Sequence, residues 1–143
     1  MIQIARSRKG QYTVVEQVVL FGIGLSIASG FLVAFETFGE NVKGEARNEQ
    51  AKVLGEQIGS HVVHLAQTDA NGRLRFQLPS TIADTDYTIN FTNSGIAIIT
   101  TGNVYLATLY GLEDKYKLRG QITSQYETAS LVKEGREIRI EGS

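Results

Sequence analysis

Ser7-Arg8-Lys9-Gly10-Gln11-Tyr12-Thr13-Val14-Val15-Glu16-Gln17-Val18-Val19-Leu20 is the stretch whose reading decides the fold. A short basic, acid-free leader carrying Arg6, Arg8 and Lys9 ends at Gly10, and an almost continuous apolar run starts a few residues later. The run, Val14 to Phe35, holds one acid, Glu16, and no base. As a helix its roughly 22 residues cover about 33 Å, enough to cross a bilayer core of ~30 Å. The bases precede the run and the first charge after it is Glu36, an acid. The positive-inside rule therefore orients the helix with its N-terminus in the cytoplasm and its C-terminus out. Everything from Thr37 onward is expected on the extracytoplasmic side.

Beyond the run about 108 residues remain, enough for one modest domain and a helical stalk. The formal net charge of −1 points to neither nucleic acid nor a strongly charged surface as partner. There is no cysteine, so an exported domain of this size must be held by core packing or by its neighbours. The average hydropathy mixes a membrane-grade helix with a polar C-terminal half rich in Thr, Gly and Asn.

Within the run Gly22, Ser26 and Gly30 recur every four residues and place small side chains on one helix face. Such a stripe lets helices approach closely in a membrane, although glycine is also simply commoner in spanning helices than in soluble ones. From Thr37 to Gln67 charged residues dominate, and no proline stops the helix. Apolar residues recur at Val42, Ala46, Val53, Leu54, Ile58, Val62 and Leu65, at near-helical spacing. The pattern predicts an amphipathic continuation of the same helix, with Gly39, Gly44, Gly55 and Gly59 as soft points.

At Thr68 the period switches to two. Asp69-Ala70-Asn71-Gly72 reads as a turn, and strands are expected at 73–78, 87–92, 95–101, 103–109, 118–123, 130–133 and 137–141. Leu74, Phe76 and Leu78 alternate, as do Tyr87, Ile89 and Phe91, so one face is buried and the other solvated. So little β-structure needs the amphipathic helix as cover. The expected fold is α+β: a long N-terminal hydrophobic helix that continues as an amphipathic one and packs on a C-terminal antiparallel β-domain, a sandwich or curled sheet. The boundaries are 1–10 for the leader, 11–36 for the hydrophobic helix, 37–67 for the amphipathic helix and 68–143 for the β-domain.

Residues 7–25, SRKGQYTVVEQVVLFGIGL, resemble the class III signal peptide of archaeal type IV pilin-like proteins, within the archaellin and pilin superfamily. In that family a prepilin peptidase cuts the basic leader on the cytoplasmic side, before the apolar stretch. A Gln, a Ser or Thr, a Glu and a Leu often follow the cut; Gln11, Thr13, Glu16 and Leu20 are the matches here. Glu16 is the sixth residue counted from Gln11, where the family's glutamate is usually the fifth, and Leu20 is likewise one place late. Unlike a secretory signal, cut after its apolar region, this leader leaves the helix on the mature chain. The resemblance implies processing between Gly10 and Gln11, a single-pass precursor, and a helical polymer of identical or related subunits outside the cell. It also implies that the new Gln11 amine pairs with Glu16 of an adjacent subunit. Alternatively, Glu16 sits near enough to the cytoplasmic interface to reach headgroups. The competing role is that of an accessory membrane-anchored component, a minor pilin or a stator-like protein contacting the surface layer.

Other candidates are weaker. His61 and His64 share a helix face, but structural zinc usually takes four ligands and no cysteine assists, so they read as surface or helix–sheet residues. Asp69, Asp84 and Asp86 fit turn chemistry rather than a calcium loop. Neither a cofactor nor a metal site is expected, and the chain does not read as an enzyme. Asn90-Phe91-Thr92 is an N-glycosylation sequon on the outer side of the membrane, placed in an expected strand rather than at a loop tip.

Overall fold

The computed structural model describes residues 3–143, with side chains from Gly10 onward. One helix, α1, runs Gln3–Gln67; the single proline, Pro79, lies beyond its end. Eight strands follow: β1 Gly72–Gln77, β2 Tyr87–Thr92, β3 Gly95–Thr100, β4 Asn103–Thr108, β5 Lys117–Arg119, β6 Gln121–Thr123, β7 Thr128–Glu134 and β8 Glu137–Gly142. The α+β class expected from the pattern is the one observed. The chain divides into two units, one ending at Val42 and the other spanning Lys43–Ser143.

In the first unit every large apolar side chain from Val14 through Phe38 is more than half exposed. Three of its hydroxyls bond back to the helix. Ser26 Oγ donates to the Gly22 carbonyl at 2.9 Å, Ser29 Oγ to Leu25 at 2.9 Å, and Thr37 Oγ1 to Val33 at 3.0 Å. Each of these three hydroxyls is thus satisfied inside the helix, as a nonpolar surrounding demands.

The second unit holds two four-stranded sheets, ordered β1-β7-β8-β5 and β4-β3-β2-β6. One core joins their inner faces to a helical stripe, Ala51, Leu54, Ile58, Val62, Leu65 and Ala66. That stripe corrects the expected one: Val42 and Val53 are about half exposed, and Ala51 takes the inner position. Gly55 and Gly59 are not soft points either. A Cβ on Gly55 would stand 2.9 Å from Tyr105 Cε1, and one on Gly59 would stand 3.2 Å from Leu109 Cδ2, so both let α1 lie close on β4 and the residue after it.

The sheets are antiparallel except for β5 and β8, which run parallel. The strand expected over 118–123 is also broken. At Gly120, φ is +112°, and a Cβ there would meet the Ile140 carbonyl oxygen at 2.5 Å. Only glycine fits both conditions. The chain therefore leaves β8 after Arg119 and joins β2 at Gln121, so one apparent strand serves two sheets.

No glycine caps the C-terminus of α1. Tyr116 Oη donates to the Ala66 carbonyl at 2.8 Å. Lys133 Nζ donates to the carbonyls of Thr68 and, at 3.4 Å, Ala66, and sits 5.2 Å from the Tyr116 ring centroid. Lys133 is 4% exposed, so the carbonyl end of the helix dipole faces a buried basic side chain.

Candidate functional site

Gly10 and Gln11 both lie within α1, and both are exposed. The side chains of Arg6, Arg8 and Lys9 lie outside the described residues. Glu16 is exposed on the same helix. Gln11 and Glu16 stand five positions apart (16 − 11), whereas side chains that meet on one helix stand three or four apart. The Gln11 and Glu16 side chains therefore point to different faces of α1.

Gly22, Ser26 and Gly30 line one face farther along. A Cβ built on Gly22 or on Gly30 meets nothing within 4 Å, so within this chain the stripe is open surface. α1 carries a stretch long and apolar enough to cross a membrane, and none of it is buried inside the chain.

The remaining candidates fall in the second unit and are dispersed. His61 packs on Phe76 with ring centroids 5.2 Å apart, at the helix–sheet interface, while His64 is exposed. Among the described residues no three His, Cys, Asp or Glu side chains gather to hold a metal ion. Asp86 Oδ1 accepts a hydrogen bond from Ser124 Oγ at 3.2 Å. Ala83 and Asp84 both have positive φ in a tight turn bridged by Ile82 and Thr85. Gln50 Oε1 accepts from the Ala83 amide at 2.7 Å and ties that turn to α1. Asn90 is half-buried on the outer face of β2, between Ala97 of β3 and Gln121 of β6. Its backbone is thus laddered on both sides.

Sequence reasoning missed the buried Lys133. In the run Thr128–Glu134, Lys133 follows Ala129 and Leu131 at period two, which is the signal that would have placed it on the inner face. Tyr87 is a second buried polar group. Its hydroxyl donates to the Pro79 carbonyl at 2.5 Å, and loss of hydration on burial pushes its pKa up to about 12.

The model of the family of unknown function DUF7266 matches residues 6–141, nearly the whole chain. The chain belongs to that family. The match runs from Arg6 through α1 and the strands to Glu141, so the helix lies within what the family model covers. No curated protein matches the chain, and no solved structure does.

Proposed function

We propose that the chain is a structural subunit of an archaeal type IV pilus-like surface filament, made as an N-in, C-out single-pass precursor. The observation that carries this reading is the junction itself. A basic leader meets Gly10-Gln11 within α1, just ahead of the apolar run Val14 to Phe35, whose large side chains are all exposed. In this reading prepilin peptidase cuts between Gly10 and Gln11, and the membrane stores the processed subunit. The helix then exchanges lipid for neighbouring helices in a filament core.

Outside the membrane, neighbouring helices keep the apolar run from water, worth ~25 cal/mol for each Å², and so replace the shelter that lipid gave it. The open Gly22, Ser26 and Gly30 face permits close helix approach, where packing rather than the hydrophobic effect discriminates partners in lipid. Glu16 costs about 2.5–3.5 kcal/mol at the depth of a spanning helix and calls for a cation. In this reading the Gln11 amine released by cleavage pairs with Glu16 of an adjacent copy, a heterologous contact that propagates into a filament. The role is structural rather than enzymatic, and the β-domain faces outward.

Mass spectrometry of native protein from membrane and sheared-filament fractions tests the reading. A mature N-terminus at Gln11 in both fractions supports it. Intact Met1 on most molecules overturns it and leaves a plain membrane anchor. Processed chain confined to membranes favours the accessory component instead.

A further inference from the structure

The β-domain holds four asparagines, and three of them stand where asparagine is favoured. Asn71 precedes β1, and its Oδ1 accepts from the Gly135 amide at 2.9 Å. Asn93 lies in the turn between β2 and β3, and Asn103 opens β4. Asn90 is the exception. It occupies the middle of β2, a strand laddered on both sides, and asparagine is a poor strand former. Tyr87, Ile89 and Phe91 alternate inward, which turns Asn90 outward together with Thr88 and Thr92. Among the described residues no hydrogen bond holds its side-chain amide, and that amide is not sealed from solvent. Packing gives no reason for asparagine at this position.

The surroundings leave room on the outer side. Opposite Asn90, Ala97 of β3 offers only a methyl group and Gln121 of β6 a second neutral amide. No strand of this sheet carries a charged residue. Two positions along, Thr92 shares the outward face, and its hydroxyl donates to the Gly95 carbonyl at 3.0 Å. Asn90-Phe91-Thr92 therefore sets the amide and the hydroxyl of an acceptor sequon on one side of a strand.

We infer that Asn90 is an N-glycosylation site and that the glycan is joined before β6 closes on β2. The inference rests on the N-in, C-out part of the proposed function and is independent of filament assembly. In the transfer, Asn90 Nδ2 attacks the anomeric carbon of a glycan carried on a lipid phosphate. The C–N bond forms as the C–O bond to phosphate breaks. The lipid phosphate leaves, and the amide nitrogen gives up one proton.

The fold sets the order of events. A transferase has to surround the Asn90 amide and read the Thr92 hydroxyl, which a surface loop allows. In the finished domain Asn90 is laddered to Ala97 and Gln121, and the Phe91 amide donates to the Gly120 carbonyl at 2.9 Å. Bending the chain there breaks both ladders. β6 follows β3, β4 and β5 in the chain, so the sequon emerges well before its last partner. Once attached, the glycan stands on the solvent side of the sheet, away from the buried Ile89 and Phe91.

Cleavage after Arg75 and Lys115 gives one peptide, 76–115, that contains the sequon, since no lysine or arginine lies between them. Full-length protein from native membranes is digested and weighed beside Asn90→Gln, Thr92→Ser and Thr92→Val. A glycan mass is expected on this peptide in the parent and in Thr92→Ser, with at least a tenfold loss in Asn90→Gln and in Thr92→Val. Thr92→Val also removes the bond to Gly95, which Asn90→Gln leaves intact, so both variants must lose the mass. Unmodified peptide in the parent, a mass that survives either variant, or its loss in Thr92→Ser overturns the site. In a pulse–chase the glycosylated fraction is expected to be fixed by the end of the pulse; a fraction that climbs through the chase overturns the order of events. Orientation is read separately by labelling Tyr110→Cys on intact cells with an impermeant maleimide, since Tyr110 is 88% exposed. Label without glycan overturns this inference alone; absence of both overturns the N-in, C-out reading with it. Glycan on chains that keep Met1 upholds the site and removes only the filament.

Discussion

Tyr105 occupies the space that a side chain on Gly55 would need: a Cβ there would lie 2.9 Å from its Cε1 and 3.2 Å from Ala107 Cβ. The ring can shift a little, but the Ala107 methyl sits on a laddered strand. Overpacking of this kind costs about 1–3 kcal/mol, whereas replacing a helical glycine by alanine returns about 1 kcal/mol. Gly55→Ala is therefore expected to destabilise by up to about 2 kcal/mol. At Gly44 nothing lies within 4 Å of a Cβ, so Gly44→Ala gains the helix propensity alone and raises stability by up to ~1 kcal/mol. Thermal unfolding of the detergent-solubilised chain decides; equal shifts for the two variants would refute close approach at Gly55.

That pair marks a limit of sequence reading. Composition along α1 correctly announces a helix and a switch to strands at Thr68, because periods of 3.6 and 2 are local properties. Whether a helical glycine is a weak point or a contact depends on what lies opposite, and Tyr105 is distant in sequence. Gly120 fails for the same reason: Leu118 and Ile122 keep the alternation across it, and only the Ile140 carbonyl reveals the break. The parallel partnership of β5 and β8 likewise leaves no mark in a strand of three residues. The junction at Gly10 and the stripe at Gly22, Ser26 and Gly30 were legible, since each is a short-range pattern. The inward position of Lys133 could be read from its period with Ala129 and Leu131, but its carbonyl partners could not, since they lie at the distant end of α1.

Lys133 and Tyr116 share the Ala66 carbonyl at the end of α1. Lys133→Met removes the donor to Thr68 and Ala66 and leaves carbonyls short of partners in a buried place. The expected loss is about 1–3 kcal/mol. Tyr116→Phe keeps the ring and loses one hydrogen bond, about 1 kcal/mol. In either single variant the other donor still serves Ala66; in the double variant none does. The double loss is expected to exceed the sum by about 0.5 kcal/mol or more in denaturant melts. Strict additivity would separate the two contacts.

The Tyr87 pKa stands at about 12 against an ordinary 10.0, raised by burial. The folded state therefore holds this proton more tightly than the unfolded chain does. Its contribution is complete below pH 10 and is lost as pH rises through about 12. Tyr87→Phe removes the titration together with the bond to Pro79. Near neutrality the variant is expected to be about 1 kcal/mol less stable than the parent. The gap narrows as pH climbs from 10 toward 12, because only the parent pays the ionisation penalty. Parallel melts at several alkaline pH values read that difference; a gap constant with pH contradicts it.

Glu16 gives the sharpest test of assembly. Glu16→Gln keeps the size of the side chain and removes its charge. Insertion into the membrane is expected to persist, because a neutral side chain lowers the cost of placing the helix in lipid. Processing is expected to persist too, since Gly10, Gln11 and the leader are untouched. The proposed pair joins the Gln11 amine of one copy to Glu16 of the next. A variant subunit in a filament would then bury that amine with no counter-charge, a loss of about 3–5 kcal/mol for a pair broken on one side. Such a loss corresponds to more than a hundredfold fall in incorporation, at 1.4 kcal/mol for each factor of ten. Glu16→Ala is expected to behave alike, so the effect follows charge rather than side-chain size. Processed subunit in membranes and subunit in sheared filaments are quantified for both variants against the parent. Filaments filled as well as the parent's would place Glu16 at the headgroup level and remove it from the subunit contact.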